Sequence, residues 1–377
     1  MINMQEHQTR LVTKRFVLHV GYGCNLRCKF CYYIEDLEKG RTKNWTTEQI
    51  KQRLRIGRKF GKTAVDFSGG EPSIRGDILE LISYAKSIGY AVVNMITNGL
   101  RLNNPTFCEQ LVTAGLNDIL FSIHSPLEKE HDYLTSVAGS HKKIFQALEH
   151  MQRLGIQARV NTVVSNINYN SLNLLFETLQ PYAVGAVNLI VFNPSETTVS
   201  LPDNEGVRIA DYWTISEKIA KALDIYKDKF ETINVRFLPF CLLPGHEDTI
   251  RTQWQKLYED QEWDPFLNIS FQKGYWAAAG AFVAGLPLYP LYTPKFGKRE
   301  PYTLFNEILS TFRMKLYYRQ TESCKHCSLR QICTGLPADY VKRFNQTELR
   351  PYQLGQVIAD PLYFCSSKTA NFESLRY

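Results

Sequence analysis

Six short apolar runs, each followed by an amphipathic stretch, set the tightest limit on what this 377-residue chain can fold into. The runs cover 16–20, 64–67, 91–96, 118–123, 157–164 and 187–192, and they are rich in β-branched residues. Helical patterns lie near 47–60, 76–88, 105–114, 139–154, 168–179 and 210–229. A near-continuous apolar run reads as a strand covered on both faces, and a helix-length crossover joins parallel neighbours. The order predicts an α/β fold, a parallel sheet curled into a partial (β/α)6 barrel of the TIM type. After residue 235 the rhythm stops: 241–320 is rich in aromatics and prolines, and a compact cysteine group follows at 324–333. The expected division is an N-terminal extension at 1–15, a barrel at 16–238 and a small C-terminal domain at 239–377.

The chain has nine cysteines, six of them in two tight groups. Its N-terminus has no apolar segment of the secretory kind, which points to a cytoplasmic chain whose thiols stay reduced. Clustered thiols in a reducing compartment favour metal ligation over disulfides. Cys24, Cys28 and Cys31 have the spacing C-x3-C-x2-C directly after the first run. Three thiolates this close can hold three irons of a [4Fe–4S] cube and leave the fourth iron open to a small molecule. A zinc knuckle is the alternative, but zinc takes four ligands and no further Cys or His follows nearby.

Ser68-Gly69-Gly70-Glu71-Pro72 follows the second run, and Thr97-Asn98-Gly99 closes the third. With the cysteine triad before them, these motifs make residues 16–240 resemble the radical S-adenosylmethionine (SAM) superfamily. The resemblance implies a catalytic [4Fe–4S] cluster on Cys24, Cys28 and Cys31. It implies a SAM site in which Ser68, Gly69, Gly70, Glu71 and Pro72 receive the amino group, with Glu71 as countercharge. Phe30 would lie beside the adenine and Leu189 and Val191 would flank it. Asn98, Ser122, His124 and Asn161 would stand at or near strand ends, where barrel active sites assemble. The implied activity is reductive cleavage of SAM to a 5′-deoxyadenosyl radical that takes a hydrogen atom from substrate.

Cys324, Cys327 and Cys333 have the spacing C-x2-C-x5-C, which resembles the start of the auxiliary-cluster (SPASM or twitch) extension of that superfamily. The full pattern would put a cysteine at position 337, which is Pro337. The ligand count therefore implies one auxiliary [4Fe–4S] cluster, with Cys241 or Cys365 as fourth ligand. A zinc site completed by His326 or a distal cysteine is the competing reading. Whichever of Cys241 and Cys365 is spare is either a hydrogen-atom donor or a small buried apolar group. Cys108 reads as core.

Superfamily neighbours with such extensions mostly modify peptides, so peptide or natural-product maturation leads, with a sugar, nucleotide or cofactor precursor as the alternative substrate. A non-catalytic iron–sulfur redox protein is the reading from another class, and it would have no use for Gly69–Glu71, Ser122 and Asn161. Lys51, Arg55 and Lys59 stand at i, i+4 and i+8, on one helix face. That face either docks an acidic electron donor such as flavodoxin or ferredoxin, or is simply solvated. A net charge of +7 with no RNA-binding motif argues against nucleic acid. The uncharged stretch 274–293 is broken by Pro287 and Pro290 and is too short to span a bilayer, so no membrane role is expected. The aromatics of 266–292 either wall a substrate pocket or pack the appendage.

Overall fold

The computed structural model describes residues 9–10, 12–33, 40, 44–182, 184–193, 206–207, 210–259, 261–292, 298–344 and 349–365. The chain divides into two compact units. One comprises Lys14–Ala210 and Glu217–Asn234; the other comprises Met1–Thr13, Asp211–Ser216 and Val235–Tyr377.

The sheet begins with β1 (Arg15–His19), β2 (Ala64–Ser68), β3 (Val92–Thr97) and β4 (Asp118–Ser122). It continues with β5 (Ala158–Val164), β6 (Val184–Val191), β7 (Thr232–Arg236) and β8 (Ile250–Arg251). Strand order follows sequence order from β1 to β8, and each described pairing is parallel. This is the partial barrel that the βα rhythm predicts. It carries two more strands than the six apolar runs, because β7 and the two-residue β8 lie where the periodic pattern fades.

Crossovers use α1 (Thr47–Lys59), α2 (Ile78–Ser87), α3 (Pro105–Ala114), α4 (Glu128–Thr135), α5 (Ser140–Arg153) and α6 (Leu172–Leu179). Their ends are set locally. Thr46 and Gln49 form a reciprocal capping box on α1, and Asn104 caps α3 ahead of Pro105. The strand alternation separates two faces. Phe67, Val93, Met95, Ile119, Phe121, Val160, Val187, Leu189 and Val191 are fully buried. Burying each such side chain contributes about 1.5–3 kcal/mol. The opposite face carries Asp66, Asn94, Asp118, Arg159, Ser122, Asn161 and Asn188, in register across β2 to β6. Several of these residues are half-buried, so this face lines the lumen.

The N-terminal end of the lumen is closed by charge. Arg15 pairs with Asp66 and Asp118, and Arg159 holds Asp118 at 2.7 Å. Two cations and two anions balance there. Burial alone would raise the Asp118 carboxyl, yet Arg159 and Arg15 together hold it below its ordinary value.

Candidate active site

The cysteine loop leaves the C-terminal end of β1 and is held from two sides. On one side Gly70 donates its N–H to Gly21 O and Glu71 to Gly23 O, each at 2.8 Å. A Cβ on Gly69 or Gly70 would collide with the carbonyls of Gly21, Tyr22 and Gly23, and Gly69 has φ +126°. The paired glycines thus let two loop backbones touch. On the other side Arg27 N–H reaches Thr135 O (3.1 Å) and Lys29 N–H reaches Leu134 O (2.9 Å), both on α4. Leu26 is buried as the loop's apolar anchor.

Cys24, Cys28 and Cys31 face one another within this loop. Burial raises the Cys24 thiol to about 11, with Glu71 and Cys31 adding to the rise. Burial pushes Cys28 higher still, and Cys31 and Cys24 reinforce the effect. Half-buried thiols that repel each other as thiolates are ionised by a bound cation, which fits iron ligation. Leu26 N–H (3.4 Å) and the Asn98 amide (3.8 Å) already point at Cys24 Sγ. The Asn98 amide also donates to Asn25 Oδ1 at 2.8 Å.

Glu71 has a structural role besides the countercharge role expected of it. Its carboxylate is buried and accepts from Ser73 N–H (3.0 Å), Thr97 Oγ1 (2.7 Å) and Asn98 N–H (2.7 Å). Burial still raises its pKa against those donors. The carboxylate therefore ties the Gly69–Pro72 loop to the end of β3, Oε1 accepting two of these bonds and Oε2 one. Pro72 opens a 3-10 turn that Glu71 caps.

Strand parity corrects two expectations. Asn161 pairs in register with Asn188, and Val163 with Ile190. Leu189 and Val191 therefore point to the helix-covered face and are fully buried, away from the lumen. Asn188 and the half-buried Ile190 stand on the lumen side instead. His124 is buried, its Nδ1 accepting from Val163 N–H at 3.3 Å. Its ring meets Phe30 edge-on at 4.6 Å, so it positions Phe30. Ser68, Ser122 and Asn161 remain on the lumen wall.

The sequence reading missed an amide row. Asn234 Nδ2 donates to Asn188 Oδ1, and Asn188 Nδ2 to Asn161 Oδ1, each at 2.8 Å. A polar residue inside two of the apolar runs, Asn161 and Asn188, was the available signal, while Asn234 lies beyond the runs.

In the second unit, Cys241, Cys324, Cys327 and Cys333 line one pocket of about 400 Å³, its open mouth included. Cys241 feels all three others, and burial with that repulsion raises its thiol far above the ordinary value. Burial raises Cys333 to about 12. Gly335 N–H and Tyr352 N–H point at Cys333 and Cys327 Sγ, each at 3.4 Å. Cys365 is apart from this set; it lies against Arg251 and Glu259 and is raised to about 12 by burial. His326 is exposed and does not line the pocket. Among the described residues, no three His, Cys, Asp or Glu side chains close around a single ion.

The basic face of α1 is largely spent within the barrel unit. Lys51 pairs with Glu80 (2.6 Å) and Glu48 (3.3 Å), and Arg55 donates to Tyr84 (2.8 Å). Cys108 is core, its thiol on Leu102 O.

The radical SAM superfamily model matches residues 18–178. The AdoMet-dependent heme synthase of Nitratidesulfovibrio vulgaris is 27% identical over 199 residues, 53% of this chain and 53% of that protein. A probable GTP 3′,8-cyclase of Saccharolobus solfataricus is 29% identical over 174 residues, 46% of this chain and 55% of that protein. The chain spans about half the length of the curated relatives it matches. The FeFe-hydrogenase maturase HydG from Carboxydothermus hydrogenoformans has a TM-score of 0.50 at 13% identity, over 82% of this chain and 78% of that one, which is a likeness of fold.

Proposed function

We propose that this chain, which carries a radical SAM domain at residues 18–178, is an enzyme with two iron–sulfur centres acting on a small-molecule substrate. The carrying observation is the clamp that docks Gly69 and Gly70 on the backbone of residues 21–23, directly beside three mutually facing thiols. That geometry supports a catalytic [4Fe–4S] cluster that Cys24, Cys28 and Cys31 would hold, with SAM as the ligand of its open iron. When bound, the cluster supplies one electron to SAM, and SAM supplies a carbon radical able to take a hydrogen atom. The chain's residues hold and orient: Asn98 donates toward Cys24 Sγ, Glu71 fixes the glycine loop, and His124 steadies Phe30. Ser122 and the amide row ending at Asn161 offer polar partners to a bound ligand.

The four thiols around one pocket support an auxiliary [4Fe–4S] cluster on Cys241, Cys324, Cys327 and Cys333. Four protein ligands would saturate that cluster, which favours electron transfer over direct substrate ligation. A one-electron donor such as flavodoxin or ferredoxin is required as partner. The relatives' names, a heme synthase and a probable GTP cyclase, support a small molecule over the peptide substrates that led on sequence alone.

The test is anaerobic reconstitution followed by SAM and dithionite. Formation of 5′-deoxyadenosine with about eight irons per chain is expected for two cubane clusters. Loaded protein that forms none overturns the enzyme reading, and about four irons overturns the auxiliary cluster. Comparing metabolites of strains carrying wild type and Cys28→Ala tests the substrate class. A difference confined to a peptide reverses that choice.

A further inference from the structure

The pocket of Cys241, Cys324, Cys327 and Cys333 opens among cations. From Arg319 to Ala338 the sequence holds Arg319, Lys325 and Arg330 against one acid, Glu322. Arg330 lines the pocket itself, and Lys325 stands between two of the thiols. Arg319 and Arg350 each precede a lining residue, Gln320 and Pro351. All four cations are exposed.

Three of them are held in place without being neutralised. The Arg319 guanidinium donates to Lys315 O and Tyr318 O, each at 2.7 Å, and that of Arg330 donates to Lys325 O at 2.8 Å. The Arg350 guanidinium lies over the Trp213 ring, 5.4 Å from its centroid. Carbonyls and a ring orient a guanidinium and leave its charge standing. No carboxylate pairs with these three among the described residues; Lys325 alone has one, Glu322 at 2.6 Å. Glu247, which Tyr352 of the pocket wall reaches, is half-buried and accepts from Tyr352 O–H and Gly245 N–H. On α1, by contrast, Lys51 is paired with Glu80 and Glu48. Exposed cations without local counterions attract an acidic surface and speed its association. An electron carrier must bring its own centre close to the one it serves, and this pocket is open to solvent at the ring of cations.

We propose that this ring is the docking surface for an acidic one-electron carrier protein, which delivers its electron at the Cys241–Cys333 centre. The proposal rests on the reading of those four cysteines as an electron-passing cluster. One electron leaves the carrier's reduced centre and enters the cluster, and the carrier departs one electron more oxidised; no bond forms or breaks. The test is the association rate of the reconstituted full chain with a flavodoxin at low and high salt. Wild type is expected to associate fast at low salt and much more slowly at high salt. Arg330→Glu/Arg350→Glu is expected to associate at least about tenfold more slowly, while Arg330→Lys/Arg350→Lys stays near wild type. Lys51→Glu/Arg55→Glu on α1 should leave the rate unchanged. Should the Glu variant lose iron, Arg319→Gln/Arg350→Gln, which keeps the Arg330 bond, repeats the test with a smaller slowing. Iron content and 5′-deoxyadenosine formed with dithionite are read on each preparation and are expected to match wild type. About four irons in wild type removes the cluster reading, and the association rates still decide the docking surface. Undiminished association of the Glu variant overturns the proposal, as does slowing by the α1 variant alone or an equal loss of turnover with dithionite. Stronger inhibition by phosphate than by chloride at equal ionic strength overturns it too, and assigns the ring to a small anion.

Discussion

The two cysteine centres are built on opposite plans. In the barrel unit, three thiols within eight residues sit on a loop that backbone contacts hold from both sides. In the second unit, three local thiols are completed by Cys241, which lies more than eighty residues earlier in the chain. A cube held on the first set would be one ligand short, and one held on the second would have four. An incomplete set suits binding a reactant at iron, whereas a complete set suits passing electrons.

The largest effect that could break this contrast is Cys28→Ala. Iron should fall from about eight to about four per chain, and 5′-deoxyadenosine should drop below detection in an anaerobic turnover assay. Next is a test of the frame beneath the first loop. Arg15→Leu takes the guanidinium from Asp66 and leaves Asp118 to Arg159 alone, and should cost ~3–5 kcal/mol in denaturant unfolding of the barrel unit. Acid should weaken the same unit in two stages. His19 is held neutral by burial, its pKa lowered from 6.5 to about 4. The unfolded chain therefore takes up that proton first, and stability falls as pH drops from 6.5 toward 4. Asp118, whose pKa lies below its ordinary 3.8, adds its loss only below that value. Urea midpoints measured from pH 7 to about pH 2 would show both stages.

The second plan is sharpened by a paired substitution. Cys241→Ala should remove about four irons and leave SAM cleavage measurable, while Cys365→Ala should leave iron content unchanged. The reverse result would make Cys365 the fourth ligand. The smallest effect expected is Asn98→Ala, which removes an amide donor from Cys24 Sγ and should lower turnover ~10–100-fold with iron retained.

The contrast also explains what the sequence could reveal. The cysteine triad and the Gly69–Gly70 pair are local, so spacing alone exposed them, as did the βα rhythm that orders β1 to β6. The role of Glu71 was hidden because its donors come from β3 and the 3-10 turn, contacts that form only when the strands assemble. Leu189 and Val191 were misjudged by a single residue, the smallest slip that reverses a strand's faces. The choice between Cys241 and Cys365 needed tertiary structure, since either is distant from the Cys324 group in sequence. Helix α4, which anchors Arg27 and Lys29, escaped notice because its eight residues are mostly polar.

The contrast between an open and a closed centre is tested most directly by electron paramagnetic resonance of the reduced, reconstituted protein with and without SAM. The expected result is that SAM shifts only the signal that disappears in Cys28→Ala, and leaves untouched the signal that survives in that variant. A SAM-dependent change in the surviving signal would mean that the Cys241–Cys333 centre holds an open iron, and would contradict the assignment of the two sites.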